Sequence, residues 1–362
     1  MAATTIRALT VTPLKVPLER PIASALGVYE HIDVVHVLME TEDGPTGTGM
    51  TMALGGEGGS AIVPYIRNEL APLAVGRDAL GPEALWQRMW GPNKARMRAG
   101  LGMYALSAVD IACWDVVGKV AGLPLQQLLG GFQNPVPVYG SGGWHTLSDE
   151  ELLEECQGFA SQGITAYKFK IGTSRDEERI GLLRREMGDG FTLYSDANQG
   201  YNVREAVEAS AMLASFGVEW MEEPVLADTV DDLAEVAEKS LVPVATGENI
   251  YTRWGFREVC ERRAAAYLQP DVGRVGGITE FRKVAVLADA YNLSLSSHLA
   301  HEISVSLVGA SPAGFKAEYM EFFPEGTMTQ SFQASDGVVR APDVPGHGVE
   351  FTAEAIARYG VS

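Results

Sequence analysis

Apolar and polar positions alternate strictly at the start of the chain. IRALTVTPLKVPL and then DVVHVLMETEDGPTGTG keep a two-residue period, with a turn at Glu42-Asp43-Gly44, which predicts an antiparallel hairpin or meander from Thr5 to about Thr51. From about Ser60 to Leu129 the period lengthens. MYALSAVDIACWDVVGKVAG places apolar groups at steps of three and four before a Gly-Leu-Pro stop, so a helical segment follows the strands. After Asn134-Pro135 the rhythm changes again, into short apolar runs separated by amphipathic stretches. In SDEELLEECQGFASQG, Ser148 and Glu151 form a capping box, and Leu152, Leu153, Cys156, Phe159 and Ala160 fall on one stripe.

The unit of strand then helix recurs. PVPVYGS, AYKFKIG, FTLYSDAN, VEWMEEP, VPVATGE, AYLQPDV, LSLSSH and KAEYM read as eight strands, mostly with helical patterns between them. Repeated βα units imply parallel strands, and eight of them suffice to close a barrel of about 200 residues. The interval from His298 to Glu318 is the shortest, so its helix is expected to be irregular. Residues 1–125 are read as an α+β capping domain, 126–325 as the barrel, and 326–362, strands and turns, as a segment returning to the cap. A chain of 362 residues exceeds what one core usually supports, which fits two domains without a flexible linker.

Composition narrows the chemistry. Lys and Arg number 28 against 47 Asp and Glu, a formal charge of −19, which opposes binding to nucleic acid or anionic lipid. A pocket for an anionic small molecule must then carry its own cations or a metal. Three widely spaced cysteines, Cys113, Cys156 and Cys260, offer neither a zinc motif nor a paired framework. With no signal-peptide run and no unbroken apolar stretch of about 18 residues, the expectation is a cytoplasmic enzyme with no membrane segment. GRVGG and the glycines around Gly55 to Gly59 lack the context of a nucleotide loop.

Each predicted barrel strand ends in a polar group: Ser141, Lys168 and Lys170, Asp196 and Asn198, Glu222, Glu248, Asp271, His298 and Glu318. Parallel barrel strands point their carboxyl ends to one face, where barrel enzymes keep their chemistry. Asp196, Glu222 and Glu248 recur at intervals of 26 residues and would place three carboxylates on neighbouring strands. They repel one another unless a hard cation, expected to be Mg²⁺, lies between them. A single acid after a strand is as often a helix cap, but three in this register favour the metal. Lys168 and Lys170 point to one side of a strand covered on both faces, so burial, the twin ammonium and the ion would favour a neutral lysine base. Asp271 is placed to hold the imidazole of His298, Ser141 and Asn198 are neutral hydrogen-bond partners, and Glu318 is an acid whose pKa burial could raise. His31, His36, His145, His301 and His347 have ordinary structural settings.

AVDIACWDVVGK, YKFKIG, SDANQ, WMEEP, TGEN, QPDVGRVGG and LSSHLAHEIS, in this order, resemble the mandelate racemase subgroup of the enolase superfamily. The resemblance implies a cap over a modified (β/α)7β barrel, Mg²⁺ on Asp196, Glu222 and Glu248, and abstraction of the α-proton of a carboxylate substrate. It also implies Lys170 as base, Lys168 as its electrophilic neighbour, His298 with Asp271 as the acid/base on the other face, and Glu318, Ser141 and Asn198 near the substrate. The pattern of this superfamily, a Lys or His base with Mg²⁺ stabilising an ene-diolate, agrees with that set. Relatives are often symmetric, so a homo-oligomer is expected. Two proton carriers permit racemisation of a 2-hydroxy acid or dehydration of a sugar acid. Ile22, Tyr29, Met52 and Leu54, read as an apolar wall, favour racemisation, whereas Glu30, His31 and Trp144 would suit a polyhydroxylated acid. A catalytically silent, carboxylate-binding barrel is the remaining reading, opposed by the cost of burying so many charges without a use for them.

Overall fold

The computed structural model describes residues 4–55 and 58–361; Gly56 and Glu57, within the glycine-rich stretch, lie outside them. The alternating amino-terminal segment forms β1 (Ile6–Ser24), β2 (Gly27–Thr41) and β3 (Gly47–Leu54), one antiparallel sheet in sequence order. Its register slips between Pro17 and Ile22. The helical segment divides into α1 (Gly58–Tyr65), a π-turn over Ile66–Leu70, α2 (Ala71–Ala74), α3 (Pro82–Asn93), α4 (Leu101–Ala121) and the short α5 (Leu125–Leu128). α4 is long and apolar enough to cross a membrane by length and composition, yet 83% of its most apolar window is buried. It packs on β3 so closely that a Cβ on Gly49 would run into the carbonyl oxygen of Ala108.

All eight predicted barrel strands are present: β4 (Val136–Ser141), β5 (Ala166–Lys170), β6 (Thr192–Asp196), β7 (Val218–Glu222), β8 (Val244–Thr246), β9 (Tyr267–Leu268), β10 (Ser294–Leu295) and β11 (Ala317–Tyr319). They run parallel in the order β10-β9-β8-β7-β6-β5-β4-β11. The ring closes where Leu295 exchanges backbone hydrogen bonds with the segment before β11, donating to Ala313 and accepting from Phe315, both at 2.8 Å. Among the described residues, seven helices cover it: α6 (Asp149–Ser161), α7 (Asp176–Met187), α8 (Val203–Ser215), α9 (Val230–Lys239), α10 (Thr252–Arg262), α11 (Gly277–Ala290) and α12 (His301–Gly309). None of the described helices separates β11 from the tail, so the fold is a (β/α)7β barrel with an α+β cap. The shortest interval holds a regular helix after all, α12, buried along its whole length. The capping box at Ser148 and Glu151 is formed, with Ser148 Oγ accepting from the Glu151 N–H at 3.2 Å.

Tyr139, Tyr194 and Trp220 fill the barrel interior; Tyr194 stacks on Trp220 with ring centroids 3.6 Å apart. This dry layer is the floor on which the strand-end residues stand. The tail pairs β12 (Val338–Val339) with β4, then runs back to the cap through α13 (Ala353–Tyr359), where Val361 N–H donates to the Pro13 carbonyl at 3.0 Å. The cap is tied to the loop after β9: Ser107 and Asp110 of α4 accept from the N–H groups of Gly276 and Thr279 at 3.0 and 2.9 Å, and Thr51 donates to the Gly273 carbonyl at 2.7 Å. That loop carries Asp271, so the cap fixes one wall of the site.

Candidate active site

The strand-end register brings the polar residues named from the sequence to one face of the ring, all of them buried. Lys170 pairs with Asp196 across β5 and β6, and Asp196 with Glu222 across β6 and β7. Asp196, Glu222 and Glu248 each offer an oxygen within 4.8 Å of the other two. An all-oxygen trio at this spacing, in a buried setting, suits a hard octahedral cation that keeps further positions for substrate oxygens. With the protein's own groups alone, lysines supply the countercharge: Lys168 Nζ lies 2.5 Å from Glu222 and 2.8 Å from Glu318, and Lys170 Nζ lies 2.5 Å from Asp196.

Those contacts shift the ionisable groups in opposite directions. Burial pulls both lysines down, but among the protein's own groups Glu222 beside Lys168 and Asp196 beside Lys170 outweigh it and raise both above the ordinary lysine range. Burial likewise pushes Glu318 up, but Lys168, His298 and a 2.6 Å bond from the Leu299 N–H bring it down to about 2, opposite to the direction expected from burial alone. Glu222 goes the other way; burial, against the pull of Lys168, lifts it to about 7.

His298 stands on the other arc of the ring. β10 and β5 are separated by β6 to β9 on one side and by β4 and β11 on the other, so His298 and Lys170 flank the carboxylate trio. Its Nδ1 is 2.8 Å from Asp271, which holds the ring and leaves Nε2 toward Glu248 at 3.1 Å. Burial lowers an imidazole, yet Glu248 and Asp271 raise this one to about 10. Ser141 Oγ and Asn198 Oδ1 are buried without a hydrogen-bond partner among the described residues.

A cavity of about 200 Å³ opens above these residues, walled by Lys170, Asn198, Glu248, Arg274, His298 and Glu318 from the barrel and by Ser24, Leu26, Tyr29, Ala53, Leu54 and Tyr104 from the cap. The apolar wall read from the sequence is half there. Tyr29 and Leu54 line the cavity, whereas Ile22 and Met52 are buried in the core beneath it. Trp144 is also in the wall, under the Lys170 ammonium at 4.9 Å, but His31 turns to Asp33 at 3.5 Å.

Several groups escaped the sequence reading. Arg274 lies 3.3 Å from Glu248 and 3.1 Å from Asp271, one helical step after Asp271 in the QPDVGRVGG stretch. Gln269 donates to Glu222 at 2.6 Å from the same stretch. Asn249, next to Glu248, donates to Glu223 at 2.9 Å. Asn198, Glu223, Leu299 and Ala300 adopt positive φ between 40° and 46° at the strand ends, a strained conformation that clusters at working sites.

Fold and trio together define a magnesium-dependent enzyme of the enolase superfamily. The chain belongs to the mandelate racemase / muconate lactonizing enzyme family: residues 6–130 match its N-terminal domain and residues 151–355 match the enolase C-terminal domain-like fold. It is 36% identical to the 3,6-anhydro-alpha-L-galactonate cycloisomerase of Streptomyces coelicolor, over 93% of this chain and 94% of that one. Identity to the arabinonate dehydratase of Saccharolobus solfataricus is 32%, over 91% of both. Among solved structures, an enolase from Bradyrhizobium complexed with magnesium and mandelic acid superposes with a TM-score of 0.93 at 31% identity, over the whole of both chains. The magnesium expected from the spacing of Asp196, Glu222 and Glu248 is thus borne out.

Proposed function

We propose that the protein abstracts the α-proton of a sugar acid and eliminates its β-hydroxyl, giving a 2-keto-3-deoxy acid. Two proton carriers on opposite arcs of the ring, Lys170 on β5 and the Asp271-held His298 beyond β10, serve proton abstraction in either outcome, and the observation that carries the choice of a sugar acid is the hydroxyl and amide groups of the cavity wall. Asp196, Glu222 and Glu248 would hold Mg²⁺, whose charge would favour an unprotonated Lys170 and polarise the substrate carboxylate. Lys170 then takes the α-proton, and the electron pair left behind becomes a dianionic ene-diolate, which the Lys168 ammonium, held in place by Glu222 and Glu318, stabilises where the charge develops. His298 protonates the β-hydroxyl as its C–O bond breaks, and water leaves. The enol product tautomerises to the keto acid. Ser141 and Asn198 complete the polar contacts of the bound acid.

The cavity wall supports a hydroxylated substrate, since Ser24, Tyr29, Tyr104, Asn198 and Asn249 put neutral hydrogen-bonding groups around it. Two sugar-acid enzymes among the relatives point the same way. Racemisation of a 2-hydroxy acid is the second reading, favoured by the apolar Leu26 and Leu54 in the same wall. The two separate in one experiment. Magnesium-loaded protein is incubated in D2O with a library of aldonates and aromatic 2-hydroxy acids, following deuterium at C2, optical rotation and keto-acid formation. Keto-acid product carries the proposal; loss of rotation with no keto acid replaces it by racemisation.

A further inference from the structure

The charges around the cavity are unevenly placed. Its cations are Lys170, Arg274 and His298, and all three come from the barrel. Each already faces a carboxylate: Lys170 has Asp196 at 2.5 Å, Arg274 has Asp271 at 3.1 Å and Glu248 at 3.3 Å, and His298 has Asp271 at 2.8 Å. The cap side consists of Ser24, Leu26, Tyr29, Ala53, Leu54 and Tyr104, without one charged side chain among the described residues. Even the hydroxyl of Ser24 is engaged locally, accepting from the Leu26 N–H at 3.2 Å.

A substrate carboxylate laid against the carboxylate trio and its lysines is neutralised there. The rest of the molecule must extend toward the cap. A second carboxylate at that end would lose part of its hydration to Leu26, Ala53 and Leu54 with no cation there to replace it, which costs more than the same loss at a neutral group. A terminal hydroxyl in the same place loses far less, because tyrosine hydroxyls can exchange hydrogen bonds with it.

We infer that the substrate is a monocarboxylate with an uncharged, hydroxylated tail, and that diacids of the same carbon skeleton are excluded by the neutral cap wall of Ser24, Leu26, Tyr29, Ala53, Leu54 and Tyr104. This rests on the sugar-acid reading for the substrate's class, but the discrimination is a property of binding and is measured without turnover. Stereochemically matched pairs that differ only in CH2OH against carboxylate at the last carbon, gluconate with glucarate, galactonate with galactarate and mannonate with mannarate, are titrated into the magnesium-loaded protein by calorimetry. In at least one pair the monoacid is expected to bind 30-fold or more tighter than its diacid, with no pair reversed. Leu54→Arg, which puts a cation at the cap end, is expected to narrow that ratio at least tenfold. Equal affinities, a preference for any diacid, or binding of no member of the panel overturns the inference. Keto-acid formation is followed on the same samples: a monoacid preference without turnover of any sugar acid leaves the inference standing and overturns the dehydratase reading.

Discussion

Lys170 and His298 are separable by what they move. Lys170→Ala is expected to abolish both deuterium exchange at C2 and product formation, whereas His298→Asn keeps exchange and lowers keto-acid formation by roughly 10² to 10⁴, the usual contribution of one acid–base group. Mass spectrometry of recovered substrate checks this, and loss of exchange in His298→Asn would reverse the assignment of the two sides. Far from the cavity, His36 on β2 is buried, with its Nε2 unpartnered among the described residues and its ring edge-on to Phe351 at 5.3 Å. Burial lowers its pKa from 6.5 to about 4. A depressed histidine favours the neutral form in the fold, so the stability it contributes is complete above pH 6.5 and is lost as pH falls through 4. The shift corresponds to about 3 kcal/mol. Urea unfolding at pH 7 and pH 4 is expected to show a smaller loss for His36→Leu than for the parent chain; equal losses would place the acid sensitivity elsewhere.

At the level of elements, the barrel was legible because parallel strands covered on both faces read as short apolar runs, and because each run ended in a chemically loaded residue. AYKFK and VEWME needed nothing beyond their own pattern. The cap wall was not legible. Likeness to the family's covering loops set Ile22 and Met52 at the cavity, whereas Ile22, just past the slip in register after Pro17, and Met52, paired with Val34, lie in the core. The directions in which the protein's own groups shift Lys170 and Glu318 were hidden too, since they depend on which carboxylate or ammonium stands across the ring, and spacing gives neighbours without distances. Contacts between elements also set where substitutions hurt. Gly49→Ala forces β3 off α4, and a loss of about 2 kcal/mol or more is expected in chemical denaturation, in the range of overpacked cores. Ser148→Ala removes only one cap bond from α6 and is expected to cost about 1 kcal/mol.

Over the whole molecule, the carboxylate trio couples the fold to its ion. A ligand that binds only the folded state at a hundred times its dissociation constant adds about 2.7 kcal/mol. Thermal melts of the chelated protein are therefore expected to rise by several degrees on adding Mg²⁺; Asp196→Asn is expected to remove that rise and, because it also takes the countercharge from buried Lys170, to lower the ion-free melt. An unchanged Mg²⁺ response in that variant would show that the ion acts elsewhere. The path of the tail has a separate bearing on how the molecule is made. Leu14 of the first strand is bridged to Gly360, so on the ribosome every strand of the catalytic ring emerges before the residues that clasp the cap's leading edge. A nascent chain halted after β11 would hold a ring under an unfastened roof, exposing to chaperones the apolar underside that the finished protein hides.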